Sequence, residues 1–511
     1  MTQGLKGYAL GAPCFRLVVA RHLREDKPIR KDLPTYNDKA PRTEVAANPA
    51  DMDFGLQRKL GLFDATMLVM GGIIGSGIFI NSYVVARQVH TPLLILGAWF
   101  AGGLIALAGG FIWAELSAQR PDVGGQYAYI REAYHPAAAF LYGWSLLLVI
   151  QTGGMAAVAV TFAHYFGQLT GARIPQAIVA AGALALLTAV NCLGVRSGGA
   201  VQSALMVLKI LAIASLVACG LLLIGPAPAP PVQPLQAGDK PISMATAMIP
   251  VLFAYGGWQT SCFVAGEVKE PRKNMPRALL IGVAGVITIY LAVNYVYLRA
   301  LGPVELARVE TPASAVMEMA LGSKGAILIA VGIAISTLGF LSQSILTAPR
   351  VYYAMATDGL FFKSVAWLEP RTHVPVVAII LQGILAMVIA VSGRYDQILN
   401  YVVSVDFIFF GLTGTCIFIF RRRGLKRADE GGGAGASLAS ATGRAAEGKE
   451  RQSYRVPGHP VTTALFVAVC WTVVVNTIYQ YPSNTVIGLV IVLGGIPVYF
   501  FWRWWRGSNE R

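Results

Sequence analysis

Apolar runs of roughly 20 residues recur along this 511-residue chain, each able to cross about 30 Å of hydrocarbon. Lipid offers no partner for backbone N–H and C=O groups, so such a chain is restricted to spanning helices that satisfy their own backbone. The pattern predicts an all-α membrane protein with twelve spans, at about 60–87, 91–117, 136–167, 174–191, 197–224, 241–267, 277–301, 322–352, 375–392, 395–420, 461–480 and 482–502. Composition agrees: 55% of residues are hydrophobic and 13% are charged, where soluble domains carry about 25% charged.

An even number of spans puts both termini on one side, and Lys and Arg choose the side. Of the 41, 33 fall in the termini and the loops on their side, and 7 in the opposite loops. Both termini are therefore expected in the cytoplasm. The net charge of +15 is this bias and points to no nucleic-acid partner. Residues 1–51 show no sustained period and are expected to form a disordered cytoplasmic extension, with a polar start that argues against a cleaved signal. Residues 52–422 form a ten-helix core, 423–460 a flexible linker, 461–502 spans 11 and 12, and 503–511 a cytoplasmic tail. Most of the six cysteines lie in apolar spans with no paired loop positions, so they read as small hydrophobes.

Span 1 carries GGIIGSGIF, residues 71–79. Glycine costs about 1 kcal/mol relative to alanine inside a helix. Small residues can serve close helix packing, as in GxxxG, but this run is denser than packing needs. The alternative is a broken helix, tolerated at membrane depth where it lines a cavity. The second half-helix then points its free N–H groups at an anion, with a carboxylate the natural guest. Carbonyls at the end of the first half would accept from an ammonium. Span 6 holds a matching interruption, FAYGGW, residues 253–258. Paired interruptions of this kind mark a transporter site. Five spans from one break to the other fit two inverted repeats, about 60–224 and 241–420.

GGIIGSGIF, FAYGGW, AGEVKEPRKNMPRAL after span 6 and APRVYYAMATDGLFF after span 8 occur in family order. Together they resemble the amino acid–polyamine–organocation superfamily, and within it the L-type amino acid transporter branch and its bacterial relatives, over about residues 55–422. The resemblance implies a leucine-transporter-like inverted five-helix repeat and amino acid transport by alternating access. It places the substrate carboxylate at Gly75, Ser76 and Gly77, and the ammonium at carbonyls near Ile73 and Phe253, with Phe253 also a gate. Gly256, Gln259 and Thr260 would line the side-chain pocket. Thr260 stands where the mammalian pattern has a larger aromatic, which speaks against large aromatic substrates. The span 6 segment holds no acid, so neutral substrates are favoured, although another helix could supply one.

Lys209 lies halfway along span 5, where an ammonium costs about 2.5–3.5 kcal/mol on insertion scales. It is either a structural lysine bonded to carbonyls or, by resemblance, the lysine that fills the sodium site of sodium-coupled relatives and ties span 5 to the break near Gly75. The second role implies sodium-independent transport and leaves proton coupling open. Asp406 in span 10 is the other deep charge, with a structural, gating or proton-coupling role. Glu115 and Asp64 read as interfacial, and residues 121–134 as a short inner helix bracing a gate.

No H-E-x-x-H, no phosphate-binding glycine loop and no metal-type carboxylate cluster is present, so neither enzyme chemistry nor a cofactor or metal is expected. A channel would be built from repeated subunits or charged rings. The remaining alternatives are a non-transporting amino acid sensor and a cationic amino acid or polyamine transporter of the same fold. Eukaryotic L-type transporters are disulfide-linked to a heavy chain through the loop after span 3. That loop here, FGQLTGARIP, has no cysteine, so no such partner is expected. A bacterial inner membrane is the expected setting, with spans 11 and 12 a candidate homodimer face.

Overall fold

The computed structural model describes residues 58–171, 173–227, 240–392, 395–431 and 454–509. The expected extension at 1–51 and residues 432–453 of the expected linker lie outside them. The described chain is helical, with one isolated bridge between Leu60 and Val268. Nine of its helical stretches, three of them made of more than one helix, are long and apolar enough to cross a membrane, and two shorter apolar helices run over Gln176–Cys192 and Val376–Ser392.

The first expected span is two helices. Helix α1, Leu62–Ile73, starts where the Asp64 carboxylate accepts from the Gly61 N–H at 2.9 Å. It stops at Ile74, whose backbone is extended, and α2 restarts at Gly77 and runs to Val89. Helix α3, Pro92–Gln119, begins with Thr91 as its cap and proline in the first turn, a favoured helix start. A short inner helix, α4 (Gln126–Ala133), precedes the third span. That span is α5 (Pro136–Ser145), a π turn over Leu146–Ile150, and α6 (Gln151–Thr170). Helices α7 (Gln176–Cys192) and α8 (Val195–Leu222) complete the first half.

The sixth span is also interrupted. Helix α9 (Lys240–Tyr255) ends at Gly256–Gly257, and a 3-10 helix continues over Trp258–Glu267. Then follow α10 (Pro271–Leu306), α11 (Pro312–Leu321), α12 (Ser323–Thr347), α13 (Pro349–Thr357), α14 (Val376–Ser392) and α15 (Tyr395–Gly431). Helix α15 thus continues past the expected core boundary at residue 422. The last two helices are α16 (Val461–Gln480) and α17 (Pro482–Asn509).

Helix α10 packs along α3 and α1, and α12 along α6 and α8, so the interrupted spans sit among the others. The core is dense in aromatics: Trp99, Trp113, Trp258, Tyr255 and Tyr290 are all almost fully buried. The outward faces stay apolar. On α8, Val207, Leu208 and Leu211 are exposed while Lys209 between them is fully buried, as expected for a helix with lipid on one side and a polar interior on the other.

Candidate functional site

Both breaks have a local cause. Gly257 sits at φ +110°, a conformation that favours glycine. A β-carbon there would lie 2.0 Å from the Gly72 carbonyl oxygen, and one on Gly77 would lie 2.7 Å from the Ala254 Cα. The breaks therefore touch backbone to backbone, which the dense glycines permit.

Side chains fix this contact. The Tyr290 hydroxyl lies 3.2 Å from the Ile73 carbonyl oxygen and 3.0 Å from that of Ala254, bridging the two breaks. Thr260 Oγ1 donates to the Gly257 carbonyl at 2.7 Å and accepts from Gln343 Nε2 at 2.8 Å. The Gly257 N–H donates to Gln259 Oε1 at 3.0 Å.

A cavity of about 70 Å³ lies against the breaks. The eight expected binding residues all line it: Ile73, Gly75, Ser76, Gly77, Phe253, Gly256, Gln259 and Thr260. The Gly77 and Ile78 amides open α2 at the positive end of its dipole, while the Phe79 N–H already bonds the Ser76 carbonyl at 3.1 Å. Ser76 is 1% exposed, and its hydroxyl has no protein partner. A buried, unmatched hydroxyl at a helix N-terminus suits an anionic guest.

Other elements complete the wall. Gln151 enters directly after the π turn, a distortion frequent at functional sites. Phe340 on α12 closes over Gly75, 3.2 Å from where a β-carbon would stand. Asp406 on α15 also lines the cavity, whereas no Lys, Arg or His does.

Lys209 is outside the lining and fully buried. Its ammonium donates to the Ile74 carbonyl, at the break of the first span. Among the described residues no ion pair joins Lys209 to Asp406.

Beneath the breaks, Arg350 Nε donates to Glu267 Oε1 at 2.9 Å, with side chains 1% and 4% exposed. The Glu267 carbonyl also accepts from the N–H groups of Lys59 and Leu60 at 2.9 and 3.0 Å. Helix α4 is buried along most of its length, with Tyr127 and Arg131 both on Asp358, in keeping with a brace. Burial and the adjacent Asp358 carboxylate push the Tyr127 hydroxyl above its usual pKa. Glu115, near the end of α3, is 1% exposed. It takes a bidentate pair from Arg421 at 2.9 and 2.6 Å and the Val456 N–H at 2.6 Å, so tertiary partners bury it.

Tyr290, Gln343, Gln151 and Phe340 were not read from the sequence as site residues. The two glutamines carried a signal, being amides within apolar helices. Tyr290 and Phe340 carried none, since an aromatic in a spanning helix is ordinary. Among the described residues no His, Cys, Asp and Glu cluster could hold a metal ion.

The chain is 30% identical over 466 residues to the serine/threonine exchanger SteT of Bacillus subtilis, covering 88% of this chain and 97% of that protein. It is 30% identical to the b(0,+)-type amino acid transporter 1 of Oryctolagus cuniculus, covering 73% of this chain and 78% of the relative. It is 28% identical to the large neutral amino acids transporter small subunit 2 of Mus musculus, covering 92% and 85%. The family model described as amino acid permease matches residues 60–500. This multi-pass membrane protein, a permease rather than an enzyme, belongs to the amino acid permease family of the amino acid–polyamine–organocation superfamily.

Proposed function

We propose that the protein is a sodium-independent secondary transporter that moves amino acids by alternating access, through exchange or proton symport. The observation that carries this reading is the meeting of two helix breaks over one cavity, lined by Gly77 at the start of α2 and by Ser76, whose hydroxyl is unmatched. In this reading the substrate carboxylate sits at Gly75, Ser76 and Gly77, and its ammonium at carbonyls near Ile73 and Phe253. Phe253 is also the gate. The side chain lies against Gly256, Gln259 and Thr260. Gln259 and Thr260 present no charge, which supports neutral substrates.

The reading includes twelve crossings, the first ten as two inverted five-helix repeats around the interrupted spans. Both termini then face the cytoplasm of a bacterial cell across its inner membrane, in line with the Lys and Arg bias. Residues 1–51 and 503–511 are cytoplasmic tails, and 423–460 is a cytoplasmic linker to α16 and α17, which offer a homodimer face. The loop after the third span has no cysteine to anchor a heavy chain. Lys209 on the Ile74 carbonyl places an ammonium beside the break, which supports transport without sodium.

The test uses liposomes holding the purified protein, preloaded with labelled neutral amino acid in sodium-free buffer. Efflux only when amino acid is present outside identifies an exchanger. Efflux into empty buffer at a pH-dependent rate identifies proton coupling. No efflux from folded protein overturns transport in favour of sensing.

A further inference from the structure

A second cavity, of about 180 Å³, lies beside α1, and its lining includes Lys59, Asp64, Gln202, Glu267 and Arg350. Gln202 on α8 is 2% exposed, and both its amide atoms, Nε2 and Oε1, are unmatched among the described residues. Arg350 is fully buried. Its Nε donates to Glu267 and its Nη1 to the Leu346 carbonyl, while Nη2 is unmatched. Buried polar groups are nearly always paired, and leaving one unpaired is costly. Here two such donors and one such acceptor border a single cavity. The same lining holds two basic and two acidic side chains. A guest that carries one charge of each sign fits that balance. The cavity also adjoins the central one. Leu68 lines the former and Gly72, about one helical turn further along α1, lines the latter. Gln202 Nε2 lies 2.7 Å from where a β-carbon on Gly71 would stand. Lys59 is exposed, so the lining runs from solvent to the last turn before the break.

We infer that this cavity is a second amino acid site, which holds the head group of a substrate passing between the central cavity and the cytoplasm. Arg350 Nη2 and Gln202 Nε2 donate to its carboxylate, since a guanidinium and an amide N–H are both suited to that anion. Gln202 Oε1 and the acidic side chains of the lining accept from its ammonium. The site reads the head group that all amino acids share, so it discriminates little among their side chains. This rests on the transport reading above.

The test dialyses the full-length protein in detergent against labelled L-serine to saturation. The wild type should bind two molecules per chain. Gln202→Met, which keeps the side-chain length and removes both amide atoms, should bind one. In liposomes of one orientation, that variant should raise the KM for serine on the cytoplasmic face about tenfold and leave the KM on the opposite face unchanged. An amide with a merely structural role would move both values together or neither. Fewer than two molecules bound per wild-type chain overturns the inference, and so does a Gln202→Met protein with the wild-type cytoplasmic KM. Should the variant not fold, the wild-type stoichiometry decides alone. One bound serine with exchange intact sinks only this inference, whereas no exchange of any standard amino acid by folded protein sinks the transport reading beneath it.

Discussion

The Gly72 carbonyl oxygen stands 2.0 Å from the position that a β-carbon on Gly257 would take, so the two breaks are in backbone contact. Gly257→Ala must part them and also hold alanine at φ +110°. The backbone strain alone costs about 1–3 kcal/mol. The variant should melt lower in detergent and lose exchange. Gly256→Ala is the contrast, since its β-carbon would first meet carbonyl oxygens of its own turn at 3.3 and 3.4 Å. It should melt between the wild type and Gly257→Ala. An unchanged melting temperature for Gly257→Ala would refute the contact.

Tyr290 joins the breaks through one hydroxyl near two carbonyls, those of Ile73 and Ala254. Its ring is buried against Trp99 and Tyr255. Tyr290→Phe keeps the ring and removes only the bridge, worth about 0.5–1.5 kcal/mol. The fold should survive, and KM for exchange should rise because the carbonyls proposed to meet the ammonium lose their alignment. A KM equal to the wild type would show that the bridge does not position them.

Arg350 and Glu267 form a buried pair at the end of the 3-10 helix. Removing one partner strands a charge and costs about 3–5 kcal/mol, whereas removing both can be nearly neutral. Arg350→Met and Glu267→Gln should each melt well below the wild type. The double variant should melt above either single one. Additive losses in the double variant would show that the pair is not coupled.

The positions of the breaks were legible in the sequence because glycine density is a local signal, and GGIIGSGIF and FAYGGW sit where α1 and α9 stop. The inner helix was legible for the same reason, as a polar stretch between two apolar spans. What was hidden is long-range. Span 6 alone suggested an uncharged pocket, and Asp406 reaches the cavity only through the packing of α15. Nothing near Glu115 in the sequence named its partners, Arg421 and Val456, which lie hundreds of residues away. Tyr290 bridges positions whose proximity exists only after both spans have broken. Periodicity and spacing report on one helix at a time, so contacts among helices escape them.

Lys209 donates to the Ile74 carbonyl where the first span breaks, and this contact bears on coupling. On the proposed sodium-independent reading, the ammonium beside that carbonyl stands in for a sodium ion. Exchange by the wild type should therefore run at the same rate in sodium and in choline buffer. Lys209→Ala leaves the carbonyl buried without a donor, at about 1–3 kcal/mol, and frees α8 from the break. The variant should still elute as folded protein while exchange falls by about tenfold or more. Sodium-stimulated exchange in the wild type would remove the proposed role of the ammonium. Full activity in Lys209→Ala would show instead that the lysine serves only to satisfy a carbonyl, with no part in the movement of the broken span.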